Sequence, residues 1–269
     1  MPSARTLVRL VAGVVACTLL AACAPTTQRV RVSDVAAETE ARKQRQIALQ
    51  AYLEDQRRLM KVSYPLLTKG SDLCGDDIRY TTGMALANST TLLGEQFRDT
   101  AASEYQLSDA VQVVYVVPQS AADKAGVKTG DTLRQVGSWQ VSGAGADAVK
   151  EALNQIREQS RNGQALRVDI QRQPAKGAAQ PRSLLIHPDR ACSYPVVLGN
   201  GDEVNAYADG NQVIIQRGMM RFASNDTELP LFIRQDCVTT NGEEEIWRRI
   251  TTNRRCTKLQ RKKKTDQPS

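Results

Sequence analysis

The chain holds one histidine, His187, in 269 residues, and that count limits the chemistry open to it. A zinc site built on two imidazoles is excluded by number alone. A Ser-His or Cys-His nucleophile pair would have to use His187. That residue follows the strand-like run Leu184-Leu185-Ile186 and precedes Pro188, where it reads as the end of a strand. Oxygen ligands are more plentiful. Asp236 and the cluster Glu243-Glu244-Glu245 lie close together in sequence. Three adjacent glutamates lack the alternating spacing of a calcium loop, and they read as a solvated charge run.

The elements that would position these residues lie in Val196 to Asn241. Val196 to Leu198 is a short apolar strand, Gly199 to Gly201 a turn and Glu203 to Ala208 a second extended run. Asp209-Gly210 signals a hairpin into the β-branched strand Val213 to Gln216. Gly218-Met219-Met220-Arg221-Phe222 follows. Ser224-Asn225-Asp226 then offers a helix cap ahead of Glu228, Leu229, Leu231, Phe232 and Ile233.

Asp202 to Gly210, Val213-Ile214-Ile215, Gly218 to Phe222 and Asp226-Thr227-Glu228-Leu229 together resemble the zinc metallopeptidase family of the HtpX-type membrane proteases and CAAX prenyl endopeptidases. The resemblance implies a helix carrying H-E-x-x-H about one turn after the D-x-E-L segment, with two zinc-binding histidines and a water-activating glutamate. The family His and Glu positions fall on Gln235 and Asp236 here. The expectation is therefore no metal ligand, no catalytic residue and no cofactor in this chain, zinc being the cofactor of the family. By the same resemblance the strand through Asn205, Ala206 and Tyr207 would lie beside substrate. Three readings stay open: a pseudo-enzyme, a frame-disrupted copy of an active peptidase, and a binding lipoprotein whose likeness is structural only.

Val111 to Val117 is a β-branched strand, and Pro118 to Leu133 after it resembles a PDZ domain. Ser120 can cap a one-turn helix of small residues, Gly126 can end it in the left-handed region, and Gly130-Asp131 can turn the chain into Thr132 to Val136. Ala146 to Gln159 presents Val149, Leu153 and Ile156 on one helical face, and Leu166, Val168 and Ile170 alternate as a strand. The resemblance implies binding of an extended peptide between a helix and a sheet edge. The carboxylate loop of that family is not recognisable between Gln106 and Val111. Cys74 and Cys192 both lie in the metallopeptidase-like part, and they are expected to pair around the insert. Cys237 and Cys256 have no assigned partner.

The N-terminus begins with Arg5 and Arg9, then an apolar run from Leu10 to Leu20 that is too short to span a bilayer. Leu20-Ala21-Ala22-Cys23 resembles a bacterial lipobox, which implies lipidation of Cys23. With Ala24 next, the expected location is the bacterial cell envelope, at the outer membrane facing the periplasm, where cysteines oxidise. Net charge is +7. Residues 231–269 carry ten Lys or Arg against five Asp or Glu, so most of the excess sits in the tail. Arg261-Lys262-Lys263-Lys264 has no interleaved aromatics, so no nucleic-acid partner is expected.

The expected fold class is α+β: an N-terminal helix and a PDZ-like domain inserted in a partial metallopeptidase-like domain. The expected divisions are 1–22 signal peptide, 23–62 tether and amphipathic helix, 72–105 with 183–233 metallopeptidase-like, 106–173 PDZ-like and 234–269 basic tail. The helix is expected from Ser33-Asp34 to about Met60, broken over Ser63 to Asp72 by Pro65 and Gly70, and laid on the chain's own domain. Ile78 to Met84 should be a strand ending at Gly83, and Ala101 to Leu107 a helix. The expected function is a lipid-anchored relative of zinc metalloendopeptidases, inactive in proteolysis of envelope proteins. The alternative is a non-enzymatic peptide- or protein-binding lipoprotein. Either takes an extended peptide or envelope protein as partner and a membrane through its lipid.

Overall fold

The computed structural model describes residues 33–209, 212–223, 225–231 and 233. The chain divides into two units, 1–41 and 42–269. In the first, Ser33 starts helix α1, its Oγ accepting from Ala36 N–H at 3.2 Å. The second unit is α+β.

α1 runs Asp34–Lys69. It does not break at Pro65, as the sequence suggests it should. Leu66 and Leu67, beyond the proline, pack into apolar clusters, and the Thr68 hydroxyl donates to Tyr64 O at 2.9 Å. Burial on both sides of Pro65 outweighs the one lost helical hydrogen bond, and the helix ends at Gly70. Its stripe serves three clusters. Leu49 and Leu53 pack with Ala87, Leu92, Leu107 and Val114. Leu59 and Val62 pack with Val213, Ile215, Met220 and Leu229. Leu67 packs with Ala191 and Cys192. Each leucine buried this way stabilises the fold by roughly 1.5–3 kcal/mol.

Strand β1 (Ile78–Thr81) pairs antiparallel with β8 (Asp189–Cys192), Ile78 opposite Cys192. The expected single strand Ile78 to Met84 is in fact two, because Gly83 has φ +76 and turns the chain into β2 (Met84–Ala87). A Cβ on Gly83 would sit 2.4 Å from Ser120 Cβ, so only glycine fits both the angle and the space.

The largest sheet has the order β2-β3-β4-β6-β7, with β5 also on β4. Its strands are β3 (Gln112–Val116), β4 (Thr132–Val136), β5 (Trp139–Gln140), β6 (Leu166–Arg172) and β7 (Gln180–Ile186). This sheet overruns the expected boundaries at 106 and 173. β2 pairs with β3 through a bulge, and β7 pairs with β6 over seven residues. The short run Met84 to Ala87 and the mostly polar start of β7 carry little strand signal alone, and pairing supplies what their sequences lack. Around it, α2 covers Arg98–Tyr105 rather than 101–107. α3 covers Ala121–Lys124, with Ser120 Oγ accepting from Asp123 N–H at 3.3 Å. α4 covers Gly145–Gln159.

A third sheet, β10-β11-β9, holds β9 (Val196–Gly199) parallel to β11 (Val213–Gln216) and β10 (Ala206–Ala208) antiparallel to it. α5 (Arg217–Phe222) follows directly. A Cβ on Gly218 would meet Asp202 O at 2.1 Å, so the helix start lies against the 202–203 backbone.

Candidate functional site

Strand β2 is an end strand of the largest sheet, and no described strand pairs with its outer edge. α4 lies beside it. Met84 and Leu86 of β2 share a core with Ala148, Val149, Ala152 and Ile156 of α4. One flank of α4 is tied towards β4, where Gln159 Nε2 donates to Val136 O at 2.9 Å. Helical spacing places Leu153 and Arg157 on the opposite flank, towards β2. Leu153 is 40 % exposed, an apolar side chain left open beside an unpaired strand edge.

Both ends of this groove are fixed by side chains. At the start of α4, the Asn88 amide donates to Gly145 O at 2.6 Å and to Asp109 O at 3.2 Å. At the other end lies the turn Thr82-Gly83. Ala122 N–H donates to Thr82 O and Val117 N–H to Gly83 O, each at 2.8 Å. Tyr64 closes this turn from behind. Its hydroxyl accepts from Ala121 N–H at 3.2 Å and donates to Asp189 at 2.6 Å. Burial, then the Asp189 hydrogen bond, pushes the Tyr64 pKa well above the phenol range.

Arg79 stands just before that turn, on β1. Its Nε is buried without a hydrogen-bond partner. Burial, then the like charge of Arg157, lowers its pKa from the usual arginine value. An uncompensated guanidinium beside a second one favours an anionic group between them. The groove thus offers a strand edge, an apolar wall and a cationic end.

Cys74 and Cys192 are bonded, with Cα atoms 5.6 Å apart, closing 118 residues of sequence. Asn205, Ala206 and Tyr207 lie at β10, an end strand of the small sheet. There Asn205 O accepts from Gln216 N–H at 3.1 Å, and Tyr207 pairs with Ile214. His187 occupies the two-residue link between β7 and β8. Cys23, Gln235, Asp236, Cys237, Cys256 and the Glu243–Glu245 cluster lie outside the described residues. Among the described residues, no three His, Cys, Asp or Glu gather as metal ligands, and no helix is long and apolar enough to cross a membrane.

The loop leading into the edge strand is Thr82-Gly83, between β1 and β2, and lies outside the 106–111 segment. Gly83 followed by the alternation Met84-Ala85-Leu86 is the signal that could have found it. Nothing in the sequence marks Arg79 as unpartnered.

No protein-family model matches the chain, and no curated protein sequence matches it. Among solved structures, the chain is similar to the HtrA3 PDZ domain bound to a phage-derived ligand. That match has 16% identity and a TM-score of 0.28, covering 42% of this chain and 88% of that one. It is also similar to a PDZ domain protein from Parabacteroides distasonis, at 14% identity and a TM-score of 0.27. This second match covers 43% of this chain and 21% of that one.

Proposed function

We propose that this chain is a peptide-binding lipoprotein of the bacterial cell envelope, and that its ligand is an extended segment added as a strand to the outer edge of β2. The observation that carries the reading is the unpaired β2 edge with α4 laid alongside it. A strand edge gives main-chain hydrogen bonds, and the neighbouring helix gives side-chain selection. Leu153 and Val149 supply an apolar wall. Arg79 and Arg157 supply a receptor for a carboxylate at the Gly83 end, either an acidic side chain or a free C-terminus.

The finer elements of the proposal rest on sequence. Cys23 is the lipid-bearing residue, and the outer membrane facing the periplasm is the location. The 196–233 segment descends from a zinc-metallopeptidase-like scaffold, with Asn205 to Tyr207 as its former substrate strand. With one histidine in the chain and Gln235-Asp236 at the family positions, the residues do not fit a catalytic zinc, and no hydrolytic step is proposed.

The test is a titration of the mature chain with peptides that end in a free carboxylate, against the same peptides amidated. Amidation should weaken binding by about tenfold, the loss of one charge-assisted hydrogen bond. Leu153→Glu should abolish binding, and Arg157→Gln should remove the difference between the two peptide forms. Equal binding of both forms by the parent chain, or intact binding by Leu153→Glu, would overturn the reading. Palmitate labelling that is lost in Cys23→Ser tests the anchor separately.

A further inference from the structure

We infer a second binding site, for a small amphiphilic anion, in a cavity of about 730 Å³ bounded by α1, the end of α2, β3 and the turn 128–132. This site does not depend on the groove. Leu53, Leu107 and Val114 form an apolar floor, all buried. They belong to the cluster on the sheet face that packs against α1, whereas Met84 and Leu86 beside the groove belong to the other core. A volume of this size is in the range of small-ligand sites, which bury an apolar body under a few placed polar groups.

The lining carries three cations, Arg57, Lys128 and Arg172, against one carboxylate, Asp131. That carboxylate is already committed. Arg172 holds it with two donors at 2.6 Å each, and Lys128 N–H donates to it at 2.8 Å. Asp131 is buried, and the Arg172 pair serves to lock β6 to the turn, with Arg172 also donating to Gly126 O at 2.8 Å. Arg57 and Lys128 are therefore left over. No salt bridge joins either side chain to a described residue. Both are exposed at the cavity's lining. An anionic head held by Arg57 and Lys128 with an apolar body over Leu53 and Leu107 satisfies both halves of the cavity. A neutral ligand gains nothing from the two cations, and a cationic one is repelled by them.

The experiment is calorimetric titration of the mature chain with octanoate, octyl phosphate and neutral octanamide. Both anions share the required chemistry, and the tighter of the two identifies the head group. Either anion should bind about tenfold or more tightly than octanamide, with that advantage lost in the double variant Arg57→Gln, Lys128→Gln. Thr129→Trp, on the exposed turn at the lining, should exclude all three probes. Leu153→Glu, in the groove, should leave anion binding unchanged, which separates this site from the peptide reading. Binding of octanamide equal to the anions, unchanged anion affinity in the double variant, or no heat with either anion would overturn the inference.

Discussion

Tyr64 in α1 and Asp189 in β8 are joined by a 2.6 Å hydrogen bond across 125 residues of sequence. The same hydroxyl holds the start of α3, and the tyrosine ring packs against Gly83, so one side chain fixes the turn into the edge strand. Tyr64→Phe keeps the ring and removes both hydrogen bonds. The expected loss is about 1–3 kcal/mol, since Asp189 is then left half-buried without its donor. Urea unfolding measures the loss, and a variant as stable as the parent would show the bond to be idle.

Gly83 admits no side chain. Its φ of +76 disfavours any L-residue, and a Cβ would lie inside van der Waals contact of Ser120 and Tyr64. Gly83→Ala should destabilise the fold by about 1–3 kcal/mol and lower peptide affinity by displacing the turn. Measuring both in one variant distinguishes a local from a global effect. Normal stability with normal affinity would contradict the assignment of this turn to the site.

The Cys74–Cys192 bond closes a 118-residue separation. Cross-linking over that length restricts the unfolded chain and, on a chain-entropy account, contributes about 4–5 kcal/mol. The double variant Cys74→Ser, Cys192→Ser should fall in thermal midpoint by clearly more than Tyr64→Phe or Gly83→Ala. Non-reducing peptide mapping should recover the two cysteines on one linked fragment, and free thiols at both positions would refute the pairing.

Asp226 accepts from Lys61 and Arg58 at 3.0 Å each, and those hydrogen bonds, Lys61 first, depress its pKa below the usual aspartate value. A carboxylate with a lowered folded pKa adds stability that is present above the unfolded value of about 3.9 and is lost as pH falls through the folded one. The side chain is 43 % exposed, so solvent screening keeps the contribution at about 1 kcal/mol or less. Asp226→Asn should lose that increment at neutral pH and match the parent near pH 2. A constant difference across the acid range would point to a cause other than ionisation.

Local signals in the sequence translated well where one residue type has one conformational use. Ser120, Gly126 and Gly130 marked the α3 cap and the turn into β4, and Leu166, Val168 and Ile170 alternate into the core. The β2 strand was only faintly marked, by the alternation after Gly83, because Met84 to Ala87 has no β-branched residue and becomes a strand by pairing with β3. Pro65 misled, since its local cost is visible in sequence and the packing of Leu66 and Leu67 is not. For the candidate groove, the α4 wall was legible as the stripe with Leu153. Arg79 was not, because an arginine's lack of a partner is a property of what surrounds it in space.

α1 also sets an order of events in making the protein. Its stripe is complete once residue 69 has been synthesised, yet Leu59 and Val62 wait for Val213 to Leu229, and Arg58 waits for Asp226, 168 residues later. Until then the helix presents uncovered leucines to whatever is near, a state prone to self-association. Long-range closure of this kind slows folding. Truncation before residue 213 should therefore yield a chain that aggregates through α1 even with the largest sheet intact, a dependence of α1 on strands made long after it.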